Sequence, residues 1–267
     1  GSVNHNSRKF QAENVDGSRT HLNIDYCNER IQAVYHQLFD EALKRYNEKQ
    51  ARADRRIPNY YENIRSGNQE KPFHEIILQI GNKEDMSATG EYAELARTVL
   101  DEYYRGFQER NPNLRVFSAH LHMDEATPHL HIDFVPFTTG SKRGLDTRVS
   151  LKQALAVQGF KGGTRGATEW AQWVQFEKEQ LAAVMERYDI QWEQKGTHEK
   201  HLSVLDYKKQ EREKEIAALD TTLAEKQDEL EKCRVGSTTS IRGHIPLSGW
   251  SSELNRMQSF NSPIRPL

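Results

Sequence analysis

The sequence predicts an α+β domain: an antiparallel sheet with a central histidine-bearing hairpin, flanked by helices and followed by a helical C-terminal extension. Three observations carry this. Two apolar segments, Arg115–Met123 and His129–Phe137, lie either side of the five-residue connection Asp124-Glu125-Ala126-Thr127-Pro128, the pattern of an antiparallel hairpin. Segments with apolar residues at helical spacing alternate with shorter strand-like runs. From Ser203 onward the chain becomes dense in charge. The expected organisation is a compact domain over 1–200, a charged helix over 201–235 and an irregular tail over 236–267.

The elements follow in order. Thr20–Tyr26 alternates as a strand does. Glu29–Gln50 places Ile31, Val34, Tyr35, Leu38, Phe39, Ala42 and Leu43 on one helical face. Pro58 suits the first position of a short helix through Ile64, which Gly67 ends. Phe73–Ile80 reads as a strand. Glu91–Arg110 reads as a helix with Leu95, Val99, Leu100, Tyr103 and Phe107 on one side. After the hairpin, Thr138–Gly166 is glycine-rich and basic, broken by a short helix near Leu151–Val157. Thr168–Tyr188 returns to helix. In Ser203–Cys233, Ile216, Leu219, Leu223, Leu230 and Cys233 step as a heptad seam that Lys226 interrupts, so two copies could pair there as a homodimer. After Gly236 no period is visible and the composition turns to Ser, Thr, Gly, Pro and Arg.

Composition narrows the class. Of 267 residues, 36% are apolar, enough for one ordinary core with much polar surface besides. No apolar run approaches the ~18 residues of a membrane-spanning helix. Two cysteines, Cys27 and Cys233, stand far apart, which excludes a disulfide framework and a thiolate zinc site. The start, Gly1-Ser2-Val3-Asn4, carries no apolar signal segment, so the expected location is the cytoplasm. The net charge of −2 hides a local excess: Lys142, Arg143, Arg148, Lys152, Lys161 and Arg165 face a single acid, Asp146. Such a stretch could follow a phosphate backbone or be a solvated loop.

The informative residues lie around the hairpin turn, His122-Met123-Asp124-Glu125-Ala126-Thr127-Pro128-His129-Leu130-His131. Side chains at i and i+2 share a strand face, so His129 and His131 project together, and pairing brings His122 opposite them. An isolated strand histidine is ordinarily a hydrogen-bonded core residue. Three within ten residues at this spacing point to a facial three-nitrogen metal site with open positions. Asp124, Glu125 and Asp133 could orient the rings through their second nitrogens. His120 shares the face of His122 one step further from the turn, as a supporting or core histidine. A second polar cluster, His5-Asn6-Ser7-Arg8 and Arg19-Thr20-His21-Leu22-Asn23, is weak alone.

Together, HNxR, RTHLN and HxDExTPHxH running into DFVPF resemble the MobV group of plasmid mobilisation and recombination relaxases, in the His-hydrophobe-His superfamily. The likeness covers His5 to about Gln210, including Gly196-Thr197-His198-Glu199-Lys200-His201. It implies an antiparallel sheet with the paired histidines on a central strand. It implies site- and strand-specific nicking and rejoining of single-stranded or supercoiled transfer-origin DNA through a covalent protein–DNA intermediate. By motif position, His122, His129 and His131 match the metal-binding histidines, with Mn²⁺ or Mg²⁺ the implied ion. His5 matches the nucleophile, Glu125 the acid that orients it, and Arg8 a residue beside the scissile phosphate. Lys142, Arg143, Arg148 and Lys152 are the expected DNA-gripping cations.

Two departures modify the expectation. Relatives carry about one more strand before HNxR. Its absence here suggests, as the alternative, a catalytically impaired truncated copy that only binds origin DNA. Ile24 stands where some relatives have a tyrosine, which leaves Tyr26 as an alternative nucleophile. A hydrolase of another phosphoester and a helical scaffold with structural histidines also remain open.

Overall fold

The structure is a computed structural model and describes residues 3–164, 166–191 and 204–240. The chain divides into two compact units, Gly1–Gln194 and Lys195–Leu267.

In the first unit, four antiparallel strands form the sheet in the order β1 (Ile24–Asn28), β3 (Leu114–His122), β4 (His129–Thr138), β2 (His74–Gln79). A two-residue strand, β5 (Arg148–Val149), pairs with the far end of β4. The hairpin forms as its sequence predicts: β3 and β4 are the two inner strands, with His122 opposite His129 and His120 opposite His131.

Alternation gives the sheet two unlike faces. One carries Leu121, Leu130, Ile132 and Phe134 into a core made with α4 (Ala93–Arg105), α5 (Phe107–Arg110), α6 (Leu151–Val157) and α7 (Glu169–Glu186). Inside that core, the buried Glu177 carboxylate accepts from Tyr103 Oη at 2.5 Å, Asn111 Nδ2 at 2.7 Å and Arg110 Nη2 at 3.0 Å, which ties α7 to α4 and α5.

The opposite face is divided along its length. A register shift between Val116 and Ser118 puts Phe117 into a second core with Val135 and with α2 (Ile31–Glu48) and α3 (Tyr60–Ser66). The other end of that face carries the histidines, covered by the N-terminal segment with its short α1 (Val3–Asn6).

Several boundaries differ from the sequence reading. Thr20–Leu22 is a 3-10 turn rather than strand, because Thr20 and Asn23 turn their side chains to Asp124. Pro58 precedes α3 instead of opening it, since Asn59 caps the helix by accepting from the Glu62 amide. The expected 91–110 helix breaks at Gly106. Ser150 and Thr168 cap α6 and α7 in the same manner as Asn59.

In the second unit, α8 (Val204–Ser240) exposes Ile216, Leu219, Leu223 and Leu230. It continues past Gly236, so the first residues expected to be irregular are helical. Arg165, Gly196–His201 and 241–267 lie outside the described residues, as does the side chain of Cys233. No described helix is long and apolar enough to cross a membrane.

Candidate active site

The β3–β4 register brings His122, His129 and His131 together, with one ring nitrogen of each within 4.8 Å of the others. What the remaining nitrogens do decides the chemistry. His122 Nε2 lies 2.8 Å from the Asn6 carbonyl oxygen, His129 Nδ1 2.8 Å from the Thr127 carbonyl oxygen, and His131 Nδ1 2.8 Å from Glu75 Oε1. Carbonyls and carboxylates only accept, so these nitrogens carry the protons. Three lone pairs are left, on His122 Nδ1, His129 Nε2 and His131 Nε2. The first two face each other at 3.3 Å, and the third is buried with no hydrogen-bond partner.

Facing lone pairs repel, and proton uptake offers little relief. Burial pushes His122 down to about 3 and lowers His129 as well. A divalent cation accepting all three lone pairs resolves the conflict, so the residues fit a metal ion. Glu125 Oε1 stands 3.8 Å from both His122 Nδ1 and His129 Nε2.

His5 comes to the edge of this group, its ring edge-on to His122 with centroids 6.1 Å apart. Its Nε2 is 3.2 Å from Glu125 Oε1. Arg8 Nη2 also donates to Glu125 Oε1, at 2.8 Å, while Arg8 Nη1 reaches the His5 carbonyl at 3.1 Å. Asp124 holds the arginine from below through Nε, at 2.9 Å, and Nη2. Burial draws the Asp124 carboxyl upward, but bonds from Arg8, Asn23 and Thr20 outweigh it and hold the group at about 2.

The three acids named from sequence divide their work differently from the expectation. Asp124 anchors Arg8, and Asp133 accepts from Ser118 Oγ at 2.9 Å and from Asn6 Nδ2 at 3.2 Å. Ring orientation at His131 falls to Glu75 on β2, which the sequence reading missed. A lone acid inside the apolar run Phe73–Ile80 was the available signal. His120 is fully buried, stacked 6.2 Å from His122 with its Nδ1 2.5 Å from Asp25 Oδ1.

The structure does not bring Tyr26 to this site. Its ring packs 4.0 Å from Tyr104 on the helix-covered face, and its hydroxyl donates to Asp101. Burial and that carboxylate raise its pKa well above the usual tyrosine range, so its hydroxyl keeps its proton.

The expected DNA-gripping cations are also separate from the histidines. Lys142, Arg143 and Arg148 line an open cavity of about 580 Å³ with Thr138, Thr139 and Ser141. It lies at the far end of β4, roughly 23 Å along the strand from His131 at about 3.3 Å per residue. Lys152 stands 3.8 Å from Glu169. The Arg45–Asp146 pair joins this loop to α2, where the exposed Lys44, with Lys49, Arg55 and Arg56 in the segment that follows the helix, extends the basic surface. These were overlooked. Six basic residues against two acids over 44–56 were the sign.

A family model described as plasmid recombination enzyme (Mob_Pre) matches residues 1–209. The chain belongs to the plasmid recombination enzyme family.

Among its relatives, a plasmid recombination enzyme of Bacillus sp is 29% identical over 136 residues, covering 50% of this chain and 28% of the relative. A plasmid recombination enzyme type 2 of Staphylococcus aureus is 26% identical over 224 residues, covering 83% and 46%. The chain thus spans 28% to 46% of the length of these two curated relatives. Among solved structures, it is similar to the Mn-bound MobM relaxase domain in complex with plasmid pMV158 oriT DNA. One such structure is 22% identical with a TM-score of 0.44, covering 78% of this chain and 90% of that one. Another is 21% identical with a TM-score of 0.46 and the same coverage.

Proposed function

We propose that this plasmid recombination enzyme family member is a relaxase that nicks and rejoins one DNA strand at a transfer origin through a covalent intermediate on His5. The observation that carries this is the convergence, at one end of the sheet, of three histidine lone pairs suited to a metal with the His5–Glu125–Arg8 group. A bound Mn²⁺ or Mg²⁺ would supply charge stabilisation to non-bridging phosphoryl oxygens.

The chain's own residues do the rest. Glu125 Oε1 accepts the His5 Nε2 proton, which leaves the Nδ1 lone pair to attack phosphorus. The P–Nδ1 bond forms as the bond to the 3′ oxygen breaks, and that oxygen takes a proton from solvent. Arg8 balances Glu125 and the phosphate charge. Rejoining runs in reverse: the 3′ hydroxyl attacks, the P–N bond breaks and the imidazole is restored.

Lys142, Arg143, Arg148 and Lys152, with the cations of residues 44–56, hold phosphates of single-stranded or supercoiled origin DNA. The exposed Ile216, Leu219, Leu223 and Leu230 support pairing of α8 between two copies. A DNA substrate of this kind places the protein in the cytoplasm.

The test is incubation with Mn²⁺ and a labelled single strand carrying the element's own origin, followed by denaturing electrophoresis. A protease-sensitive shifted band that mild acid destroys supports a phosphoramidate on His5. An acid-stable band transfers the role to a tyrosine. Binding without any band favours the alternative, a copy that holds origin DNA and does not cut it.

A further inference from the structure

Asn6 stands between the nucleophile and the metal site and touches the outer side of both. It is 1% exposed, although it sits in the short α1 close to the first described position. Its carbonyl accepts from His122 Nε2 at 2.8 Å. Its side-chain amide donates to Glu75 Oε1 at 2.8 Å and to Asp133 Oδ2 at 3.2 Å. The same Glu75 oxygen accepts from His131 Nδ1 at 2.8 Å. One residue therefore meets the proton-bearing nitrogens of two of the three histidines, the first through its backbone and the second through Glu75. Its peptide neighbour is His5.

From this connectivity we infer that Asn6 is a positioning residue that couples metal occupancy to nucleophile placement. The inference rests on the relaxase reading for the nucleophile half alone. The metal half stands on the geometry of the histidines.

The physical reasoning has two parts. His122 can present Nδ1 to a cation only while Nε2 keeps its proton, and the Asn6 carbonyl is the acceptor that holds that tautomer. The carbonyl stays in place because the Asn6 side chain is pinned to two carboxylates on β2 and β4, one of which aligns His131. An ion seated on the rings fixes their outer nitrogens, those fix Asn6, and Asn6 fixes the segment bearing His5. Conversely, a segment that lifts away frees both outer nitrogens and leaves Glu75 and Asp133 each short of a donor. An asparagine side chain suits this position because it is short and neutral and offers two N–H groups, where an aspartate of equal shape offers none when ionised.

The experiment compares the whole chain with Asn6→Asp and Asn6→Ala, using the exposed Asn4→Ala as a control on the same segment. Three quantities are read: Mn²⁺ affinity by calorimetry without DNA, the His122 tautomer by ¹⁵N-resolved NMR of the metal-free protein, and the rate of adduct formation at saturating origin DNA. Both Asn6 variants are expected to lose about ten- to hundredfold in Mn²⁺ affinity, as partners of metal-ligating histidines typically do. They should also show a mixed His122 tautomer and a slower adduct step, with DNA affinity retained. Asn4→Ala should match the wild type. If Asn6→Asp, folded by circular dichroism, keeps wild-type Mn²⁺ affinity and a single His122 tautomer, the inference is overturned. If the wild type forms no adduct at all, the relaxase reading fails, while the first two quantities still decide the role of Asn6 at the metal site.

Discussion

Arg8 and Asp124, 116 residues apart in sequence, form a two-pronged ion pair beneath the candidate nucleophile. Asp124 is fully buried, and Arg8 holds a positive φ of 53°, a conformation that costs a residue with a β-carbon about 1–2 kcal/mol. The pair holds that backbone in place. Asp124→Ala leaves a guanidinium short of its main partner in a covered site and should destabilise the fold by about 3–5 kcal/mol. Arg8→Lys keeps the charge but loses the planar fork, with an expected loss of about 1–2 kcal/mol. Urea denaturation of the metal-free protein measures both. A wild-type midpoint for Asp124→Ala would mean that the pair does not anchor the segment.

His129→Ala removes one of three converging lone pairs and leaves the cations proposed to grip phosphates untouched. Mn²⁺ binding should weaken by about a hundredfold or more, and the Mn²⁺-dependent adduct should disappear. Affinity for origin DNA should stay within about threefold of wild type, because the proposed positioning contacts are to phosphates elsewhere. Calorimetry and filter binding separate the two. Parallel loss of metal and DNA binding would count against the assigned role.

Much of this arrangement could be read in the sequence, for a local reason. The histidine hairpin combines strand alternation with a short connection, and both are fixed by residues close together in the chain. The antiparallel partnership of β3 and β4 followed from them. The roles of Glu75 and Asn6 were not legible. Glu75 reaches His131 only because β2 pairs with β4 in one register, with Glu75 opposite Asp133 and Ile77 opposite His131. Asn6 depends on a polar segment folding back over that same edge. Tyr26 was misplaced for a related reason. It shares the face of Ile24, but that face looks toward α4 rather than toward the histidines. Which face of an edge strand is covered is decided by helices distant in sequence.

Acid should weaken the fold through His74, on the helix-covered face. Its ring lies 6.2 Å from Phe134 and 5.9 Å from Trp170. Burial, with Lys71 adding repulsion, lowers it from the ordinary 6.5 to about 4. Between those values the unfolded chain binds the proton that the folded chain refuses. Stability therefore falls as pH drops from about 6.5 toward 4, and this contribution is fully present above the unfolded value. Because the ring is only half-buried, the effect is on the order of 1–2 kcal/mol. His74→Phe, which keeps the aromatic contacts, should be less sensitive to acid than wild type over that window. Denaturation curves at pH 7 and 4.5 test this. Equal pH dependence in the two proteins would remove His74 as a cause.

The distance between the basic loop and the histidines sets the final expectation. Lys142 and Arg143 lie at the opposite end of β4 from the site, so they can hold DNA without touching the reacting phosphate. Each phosphate contact displaces counterions and adds roughly 0.7 to the salt slope on single strands, or about 0.9 on duplex. Replacing both residues with alanine should lower the slope of log affinity against log salt by about 1.4 to 1.8, and weaken binding most at low salt. At saturating DNA the adduct rate should be unchanged, because His5, Glu125 and the three histidines keep their geometry. Binding titrations at four salt concentrations, paired with single-turnover adduct formation, separate grip from chemistry. An unchanged slope would take the loop out of the interface. A slower adduct step at saturation would mean that the far end of the sheet helps align the scissile phosphate.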